Sequence, residues 1–284
     1  MKTHLDCIPC FLKQSLEAAR MVTDDEKKQE RVLRDVMSHL KTINFENSPP
    51  EISREVHKII RSILKENDPY KKVKKLSNEE VKNKYDHLKE LVLKSDDPLL
   101  MAIKLAIVGN VIDYGTINRF DLEEMIDRAV NRDFDMGSYN GFKKDLKKSE
   151  TILFLADNTG EIFFDKIVLE HLISLGKKIT YVVKSNPIIN DATIEDASFA
   201  EIDKMVEIIK SDDGQSISSP GLIIRYASDE FIKKFNESDM VISKGQGNFE
   251  GLSDCDRKVY FLLVAKCPLV AGELNCEVGK LILK

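Results

Sequence analysis

The sequence of 284 residues contains no apolar run of the roughly 18 residues that a membrane-spanning helix requires. Its first ten residues, MKTHLDCIPC, lack the apolar core of a signal peptide. Positive charge is not in excess either, since 43 basic residues stand against 48 acidic ones and the formal net charge is −5. Five unevenly spread cysteines do not form a disulfide framework. We therefore expect a cytoplasmic protein that has neither a membrane nor a nucleic acid as its partner.

Several familiar catalytic and nucleotide-binding motifs are also missing. No G-x-G-x-x-G follows a predicted strand, and the segment GQGNFEG has neither that spacing nor the G-K-[ST] of a nucleoside-triphosphatase loop. There is no G-x-S-x-G nucleophile elbow. The segment RDFDMG at 132–137 has the two-aspartate spacing of aspartyl-phosphate enzymes, but no apolar strand precedes it. Thr159, rather than an acid, stands two residues after Asp157, which disfavours a covalent aspartyl-phosphate mechanism there as well.

The composition changes near residue 147. Between residues 11 and about 146, Lys, Glu, Leu and Ile recur at helical spacing; the segment EVHKIIRSILKEN, for example, places Val56, Ile60 and Ile63 on one face. After residue 147, short apolar runs are typical of strands buried on both faces, with helices predicted at 161–175 and 221–237. The runs are TILFLA, KITYVV, MVEIIK, DMVIS and YFLLVA. The pattern predicts an all-helical N-terminal half and a doubly wound α/β C-terminal half with a parallel sheet.

Polar residues follow four of these predicted strands. Asp157 and Asn158 end the first strand, and Asp191 follows the second. The fourth strand runs into Lys244 and a glycine-rich turn, and the fifth ends at Lys266. Ligands of open parallel sheets bind beyond the carboxyl ends of the strands, so we expect these residues to share one site.

The residue types at these strand ends favour chemistry on phosphate. Mg²⁺ and Mn²⁺ prefer carboxylate and carbonyl oxygens and keep several waters, so Asp157, Asn158 and Asp191 suit an open divalent site. A lysine beside a glycine-rich turn offers an ammonium group and backbone N–H donors to an anion. The combination predicts phosphoryl transfer or hydrolysis, with metal-activated water attacking phosphorus. Taken alone, an Asp-Asn pair after a strand is more often a helix cap, and that alternative stays open.

Four segments resemble one known family in their order along the C-terminal half: DNTGE, PIINDAT, KGQGNFE and AKCP. They are similar to the DUF89 family, the ARMT1-like, metal-dependent damage-control phosphatases. The segments CIPC, DPY at 68–70 and GNVIDYG at 109–115 resemble its microbial branch, which carries a C-x-x-C. The resemblance implies an N-terminal helical domain (1–146) packed on an α/β/α sandwich with a mostly parallel, Rossmann-like sheet (147–284). It also implies hydrolysis of small phosphorylated metabolites, such as sugar phosphates, nucleotides or damaged cofactor phosphates, with Mn²⁺, Co²⁺, Ni²⁺ or Mg²⁺.

The same resemblance implies roles for individual residues. Asp157, Asn158 and Asp191 match the metal ligands, and Asp157 and Lys266 are the expected catalytic residues. Substrate contacts are expected from the following residues: Asn110, Asp113, Gly160, Glu161, Lys244, Gly245, Gln246, Gly247, Asn248, Glu250 and Lys266. Gly160 would let the backbone approach the phosphate. Glu161 would either order a metal-bound water or cap the helix that starts there, and the sequence leaves both roles open.

The N-terminal segment THLDCIPC presents His4, Cys7 and Cys10 at three-residue spacing. Two thiolates and an imidazole suit a second, softer metal such as zinc or an iron–sulfur centre, although no fourth ligand is adjacent. The two cysteines could also form a redox pair, or they could simply be reduced cysteines that cap the start of a helix. Because the motif belongs to the helical half, we expect it to lie outside the strand-end site.

A second class of function also fits these residues. The chain could be a non-catalytic module that binds a metal ion and a phosphorylated metabolite and senses through its cysteines. Both classes predict a bound metal and a phosphate contact, but only the enzyme predicts metal-dependent release of inorganic phosphate. The sequence leaves the substrate, the physiological metal and the oligomeric state open.

Overall fold

A six-stranded sheet forms the centre of the computed structural model, which describes residues 1–110 and 134–284. The strand order is β3-β2-β1-β4-β5-β6; β1 to β5 are parallel, and β6 runs antiparallel to β5. The strands are β1 (Thr151–Leu155), β2 (Lys178–Val183), β3 (Glu207–Lys210), β4 (Met240–Lys244), β5 (Tyr260–Val264) and β6 (Leu281–Leu283). The five predicted strands are confirmed. Strand β6 was not predicted from the sequence, because three residues are too few to give a periodic signal.

Helices surround the sheet on both faces. In the described ranges they are α1 (Cys7–Val22), α2 (Glu26–Leu40), α3 (Pro49–Leu64), α4 (Lys71–Lys82), α5 (Tyr85–Lys94), α6 (Pro98–Gly109), α7 (Met136–Lys148), α8 (Ile162–Ser174), α9 (Ile194–Phe199), α10 (Asp229–Glu237), α11 (Gln246–Leu252) and α12 (Pro268–Glu273). The helix predicted at 221–237 starts only at Asp229, because Ser228 caps it by accepting a hydrogen bond from the N–H of Phe231. None of these described helices is long and apolar enough to cross a membrane.

Alternating side chains along each strand bury two separate cores. Ile152 and Phe154 of β1 pack against α5 to α8 on one face, whereas Leu153 and Leu155 pack toward α10 to α12 on the other. Strands buried on both faces read as continuous apolar runs, which is why the sequence revealed them. The predicted α/β/α architecture with a mostly parallel sheet is therefore confirmed.

The N-terminal helices divide into two groups. Helices α1 to α3 form their own hydrophobic cluster, with Phe11, Val36 and Ile60 at its centre. Helices α5 to α7 instead bury residues such as Ile103 and Phe142 in the same cluster as β1 and β2. The division at residues 146 and 147 stays a prediction, since hydrophobic contacts cross it.

The first residues of the chain fix α1 over the carboxyl edge of the sheet. The ammonium group of Met1 donates to the carbonyl of Glu250 at 3.1 Å and pairs with Asp254 at 2.9 Å, both in or just after α11. Thr3 donates its N–H and its hydroxyl to the carbonyl of Asn47. These contacts bring the start of α1 close to the ends of β4 and β5.

Candidate metal and phosphate site

A cleft of about 320 Å³ lies over the carboxyl ends of β1, β4 and β5. The strand order reverses between β1 and β4, and this is the position where doubly wound sheets bind their ligands. The sheet side of the cleft is lined by Asp157, Asn158, Asn190, Asp191, Gln246, Gly247, Glu250, Lys266 and Cys267. The helical side is lined by residues of the N-terminal halves of α1 and α3, among them Cys7, Cys10, Phe11, Gln14 and Ser53.

Backbone contacts bring the three predicted metal ligands together. Asn158 and Asp191 form an isolated antiparallel bridge, although they belong to different loops. The N–H of Ala192 donates to the carbonyl of Asp157 at 2.8 Å, and the N–H of Thr159 donates to the carbonyl of Asn190 at 2.9 Å. The loop after β1 and the loop after β2 are thereby locked side by side, so the two carboxylates and the amide converge on one end of the cleft.

Hydrogen bonds fix which atom of Asn158 is available to a cation. Its amide nitrogen donates to Asp157 Oδ2 at 2.7 Å and to Glu161 Oε2 at 3.1 Å. An amide offers one oxygen and one nitrogen, so this leaves the carbonyl oxygen as the atom free to act as a ligand. Asn110 adds a second amide donor to Asp157 Oδ2, at 2.6 Å.

The electrostatics of this end of the cleft favour a bound cation. Burial, together with the nearby carboxylates of Glu161 and Asp191, raises the pKa of Asp157 well above its ordinary value, while Lys266 and Lys184 act in the opposite direction. Burial also raises the pKa of Asp191. Asp191 Oδ2 lies 3.3 Å from Lys184 Nζ, so this carboxylate is paired with a buried ammonium group. Two buried carboxylates whose pKa values are raised, together with one amide oxygen, fit a hard divalent ion.

Gly245 is required for the carboxylate of Asp157 to occupy its position. Its φ of +82° lies in the region that favours glycine, and a Cβ atom there would overlap the Asp157 carboxyl group. Gly245 was expected to contact substrate, but it does not line the cleft; it makes room for Asp157, a predicted metal ligand.

Gln246, Gly247, Glu250 and Lys266 line the cleft beside the metal ligands. Gln246 connects α11 to the loop after β5. Its Oε1 accepts a hydrogen bond from the N–H of Lys266 at 2.9 Å, and its Nε2 donates to Glu250 of the same helix at 2.8 Å. Burial raises the pKa of Glu250 to about 7. Lys266 thus lines the cleft with its backbone N–H held by Gln246.

Lys244 requires a correction, because the structure places it beneath the cleft rather than in it. Its side chain is 0% exposed, and Nζ donates to Glu161 Oε1 at 2.5 Å and to Asp165 Oδ1 at 2.6 Å. Burial alone would lower the pKa of Lys244, but the carboxylates of Asp165 and Glu161 raise it. A lysine enclosed by two carboxylates supports the site and does not reach a substrate phosphate.

Four other residues expected to contact substrate also lie in this supporting layer. Glu161 is fully buried and its side chain makes no cap hydrogen bond to α8, whereas its predicted role in ordering a metal-bound water stays a prediction. Gly160, with φ of +73°, makes room for Ser77, and its N–H donates to Asn78 Oδ1 at 2.6 Å rather than to a phosphate. Asn248 donates to the carbonyls of Ala156 and Lys244, and Asn110 is fully buried against Asp157. Asp113 lies outside the described residues.

Lys184 lies at the site but was not predicted from the sequence. Its buried ammonium pairs with Asp191 and donates to the carbonyl of Gly221 at 2.8 Å. It directly follows β2, the same kind of position that identified Asp157, so the signal was present in the sequence. Asn78, which holds Gly160 from α4, gave no such signal because it lies on an ordinary charged helix.

The cysteines lie closer to the site than their position in the sequence suggested. Cys7 and Cys10 line the cleft from the first turn of α1, whereas His4 is exposed and is not part of its lining. Burial raises the pKa of both thiols, with Glu250 and Cys267 adding to the rise, which disfavours thiolate at neutral pH. In the described part of the chain, no three His, Cys, Asp or Glu side chains are arranged together to hold a metal ion.

Comparisons with known proteins identify the family and the fold. The family model of the damage-control phosphatase ARMT1-like domain matches residues 3–282. A damage-control phosphatase of Pyrococcus horikoshii is 35% identical, over 99% of this chain and 97% of the relative. An uncharacterised protein of Methanocaldococcus jannaschii is 34% identical, over 100% of this chain and 95% of the relative. The crystal structure of a DUF89 family protein from Pyrococcus horikoshii superposes with a TM-score of 0.89 at 32% identity, covering 100% of this chain and 98% of that one. The chain belongs to the damage-control phosphatase ARMT1-like domain family, as its motifs predicted.

Proposed function

We propose that the chain is a metal-dependent phosphatase that hydrolyses monoesters of small phosphorylated metabolites in this cleft. One observation carries the proposal: Asp157, Asn158 and Asp191 converge at one end of the cleft while Lys266 lies beside them. That arrangement suits an ester phosphate held between a cation and an ammonium group. The relatives that are named damage-control phosphatases support hydrolysis.

Each residue has a distinct part in this proposal. Asp157, Asn158 and Asp191 hold one divalent ion (Mn²⁺, Co²⁺, Ni²⁺ or Mg²⁺), which when bound supplies charge stabilisation and a nucleophilic water at neutral pH. Lys266 donates to the phosphate oxygens and offsets the charge that develops as the ester bond breaks. Lys184 holds Asp191 in place, and Gln246 holds the backbone of Lys266. The helical side of the cleft contacts the group esterified to phosphate.

The proposal is tested by assaying metal-stripped protein with a panel of sugar phosphates, nucleotides and phosphorylated cofactor fragments, each re-supplied with one divalent ion. We expect inorganic phosphate to be released only in the presence of metal. If the protein binds both metal and ester but no ion restores phosphate release, the proposal is wrong and a non-catalytic binding module replaces it.

Replacing Lys266 by alanine should separate phosphate binding from metal binding. A charge-assisted hydrogen bond of about 1.5–3 kcal/mol is lost, so we expect kcat/KM to fall about tenfold to hundredfold. Metal affinity, measured by calorimetry, should stay nearly unchanged because Lys266 is not a ligand. Wild-type kcat/KM in this variant would place the phosphate elsewhere in the cleft.

The double variant Cys7→Ser, Cys10→Ser tests whether the thiols take part in the chemistry. Both line the cleft on the side opposite the metal ligands. We therefore expect retained metal affinity and substantial kcat, with the change confined chiefly to KM, which steady-state kinetics will measure. Elemental analysis of both proteins will show whether a second, softer metal depends on the thiols. Complete loss of hydrolysis in a well-folded double variant would instead make the cysteines part of the catalytic machinery.

A further inference from the structure

Behind the metal ligands, buried polar side chains form a continuous hydrogen-bonded chain. The hydroxyl of Tyr181 on β2 donates to Asp165 Oδ2 at 2.8 Å, and Lys244 on β4 donates to Asp165 Oδ1 at 2.6 Å. Lys244 also donates to Glu161 Oε1 at 2.5 Å. Tyr181, Asp165, Lys244 and Glu161 are all fully buried. This hydrogen-bonded network therefore runs from β2 through α8 to β4 and is shielded from solvent throughout.

Glu161 connects this hydrogen-bonded network to the cleft. Its Oε2 accepts from the amide nitrogens of Asn158 and Asn110, both at 3.1 Å. Those two amides also donate to the carboxylate of Asp157. The orientation of Asn158, and hence the direction of its carbonyl oxygen, depends on Glu161 staying where Lys244 holds it.

The contacts of Asp165 decide how firmly Lys244 is held. Asp165 uses one oxygen for Lys244 and the other for Tyr181, so the hydroxyl keeps its carboxylate from turning. Without that hydroxyl, Asp165 Oδ2 is left buried without its donor, and the carboxylate gains freedom to draw both of its oxygens toward Lys244. The two hydrogen bonds that Lys244 Nζ donates, one to Asp165 and one to Glu161, would then change in relative strength.

We infer that Tyr181 and Asp165 are positioning residues for the divalent-metal site, acting through Lys244 and Glu161 on Asn158 and Asp157; the inference rests on the metal-dependent function proposed above. Partners behind a metal ligand orient it, and their loss commonly weakens metal binding. Neither residue lines the cleft, so neither contacts the substrate.

The test compares Tyr181→Phe with Tyr139→Phe. Tyr139 is an equally buried tyrosine whose hydroxyl donates to an aspartate, Asp97 Oδ1 at 2.7 Å, but it lies on α7 away from the cleft. Both changes delete one Tyr–Asp hydrogen bond made by a buried tyrosine, and because Asp97 is partly exposed, Tyr139→Phe should lower stability no more than Tyr181→Phe. We expect the dissociation constant for Mn²⁺, measured by calorimetry, to rise about three- to tenfold in Tyr181→Phe only, with a matching loss of kcat and little change in KM. This is less than the roughly 10–100-fold cost of losing a direct partner of a ligand, because three side chains lie between Tyr181 and Asn158.

The possible outcomes distinguish a failure of this inference from a failure of the proposed function. If wild type binds Mn²⁺ and Tyr181→Phe binds it equally well, the positioning role is wrong while the proposed function stands. If the wild-type protein binds no divalent ion, the proposed function fails and this inference fails with it. Asp165→Asn provides a second variant, in which a folded protein with unimpaired Mn²⁺ affinity would also overturn the inference.

Discussion

Replacing Asp157 by asparagine is expected to weaken divalent-metal binding more than about 100-fold, since loss of an outer partner alone costs about 10–100-fold. Asp157 Oδ2 accepts from the amide nitrogens of Asn110 and Asn158 at 2.6 and 2.7 Å. An asparagine that keeps these two bonds turns its own NH₂ group toward the metal, and one that turns the other way places its NH₂ group against two amide donors. Either orientation removes a negatively charged ligand.

The metal-free stability of the same variant should be unchanged or higher. Burial and the neighbouring carboxylates raise the pKa of Asp157, so the ionised side chain is unfavourable in the absence of a cation. Calorimetry will measure metal affinity, and release of inorganic phosphate, expected to fall about a thousandfold or more, will measure activity.

Asp239→Asn is the matched control for this substitution. Asp239 precedes β4 at the opposite edge of the sheet, where it accepts from the N–H groups of Glu150 and Thr151. Its replacement should leave metal affinity unaltered. Unchanged affinity in a folded Asp157→Asn protein would mean that the ion, if any, is bound by other residues.

Lys244→Met is expected to give the largest loss of stability, about 3–5 kcal/mol in the free energy of unfolding. The methionine fills much of the volume but leaves Glu161 and Asp165 buried together without their cation. Burial raises the pKa of Asp165 to about 6, with Lys244 opposing that rise, so removing the lysine raises it further. Relative to wild type, the destabilisation should therefore grow as pH rises above about 6, because the wild-type protein ionises Asp165 there, whereas the folded variant keeps it protonated and the unfolded chain does not.

Lys266→Met provides the contrast for Lys244→Met. Lys266 lines the cleft and is only partly buried, so its replacement should cost little stability and act on kcat/KM instead. Guanidinium titrations of the two variants, together with kinetics, will distinguish them. Equal stability losses at both positions would contradict the assignment of Lys244 to the supporting layer and Lys266 to the substrate.

The sequence predicted the fold well because its signals are local. Strands buried on both faces appear as apolar runs such as TILFL and YFLLV, and amphipathic helices such as α3 appear as periodic stripes. The antiparallel strand Leu281–Leu283 escaped because its stability comes from pairing with β5, a contact distant in sequence. Likewise, the start of α10 depends on a single cap at Ser228 rather than on periodicity.

The site was predicted less completely, and for a physical reason. Strand ends show which side chains reach the carboxyl edge of the sheet, but not how deep each one lies. Lys244 and Lys266 both follow apolar strands, yet one is enclosed by two acids and the other lines the cleft. Their difference arises from α8, which brings Glu161 and Asp165 beneath β4.

The sequence by itself determined the family through the resemblance of its motifs, and the α/β architecture through its apolar runs. Residue type and strand-end position made Asp157, Asn158 and Asp191 candidate metal ligands. Only the tertiary structure decided which polar residues line the cleft and which support it, and that Cys7 and Cys10 lie opposite the metal ligands. Those properties depend on packing between elements far apart in the chain, such as α1 against the ends of β4 and β5. Burial and pairing of charge are properties of that packing, and no local pattern encodes them.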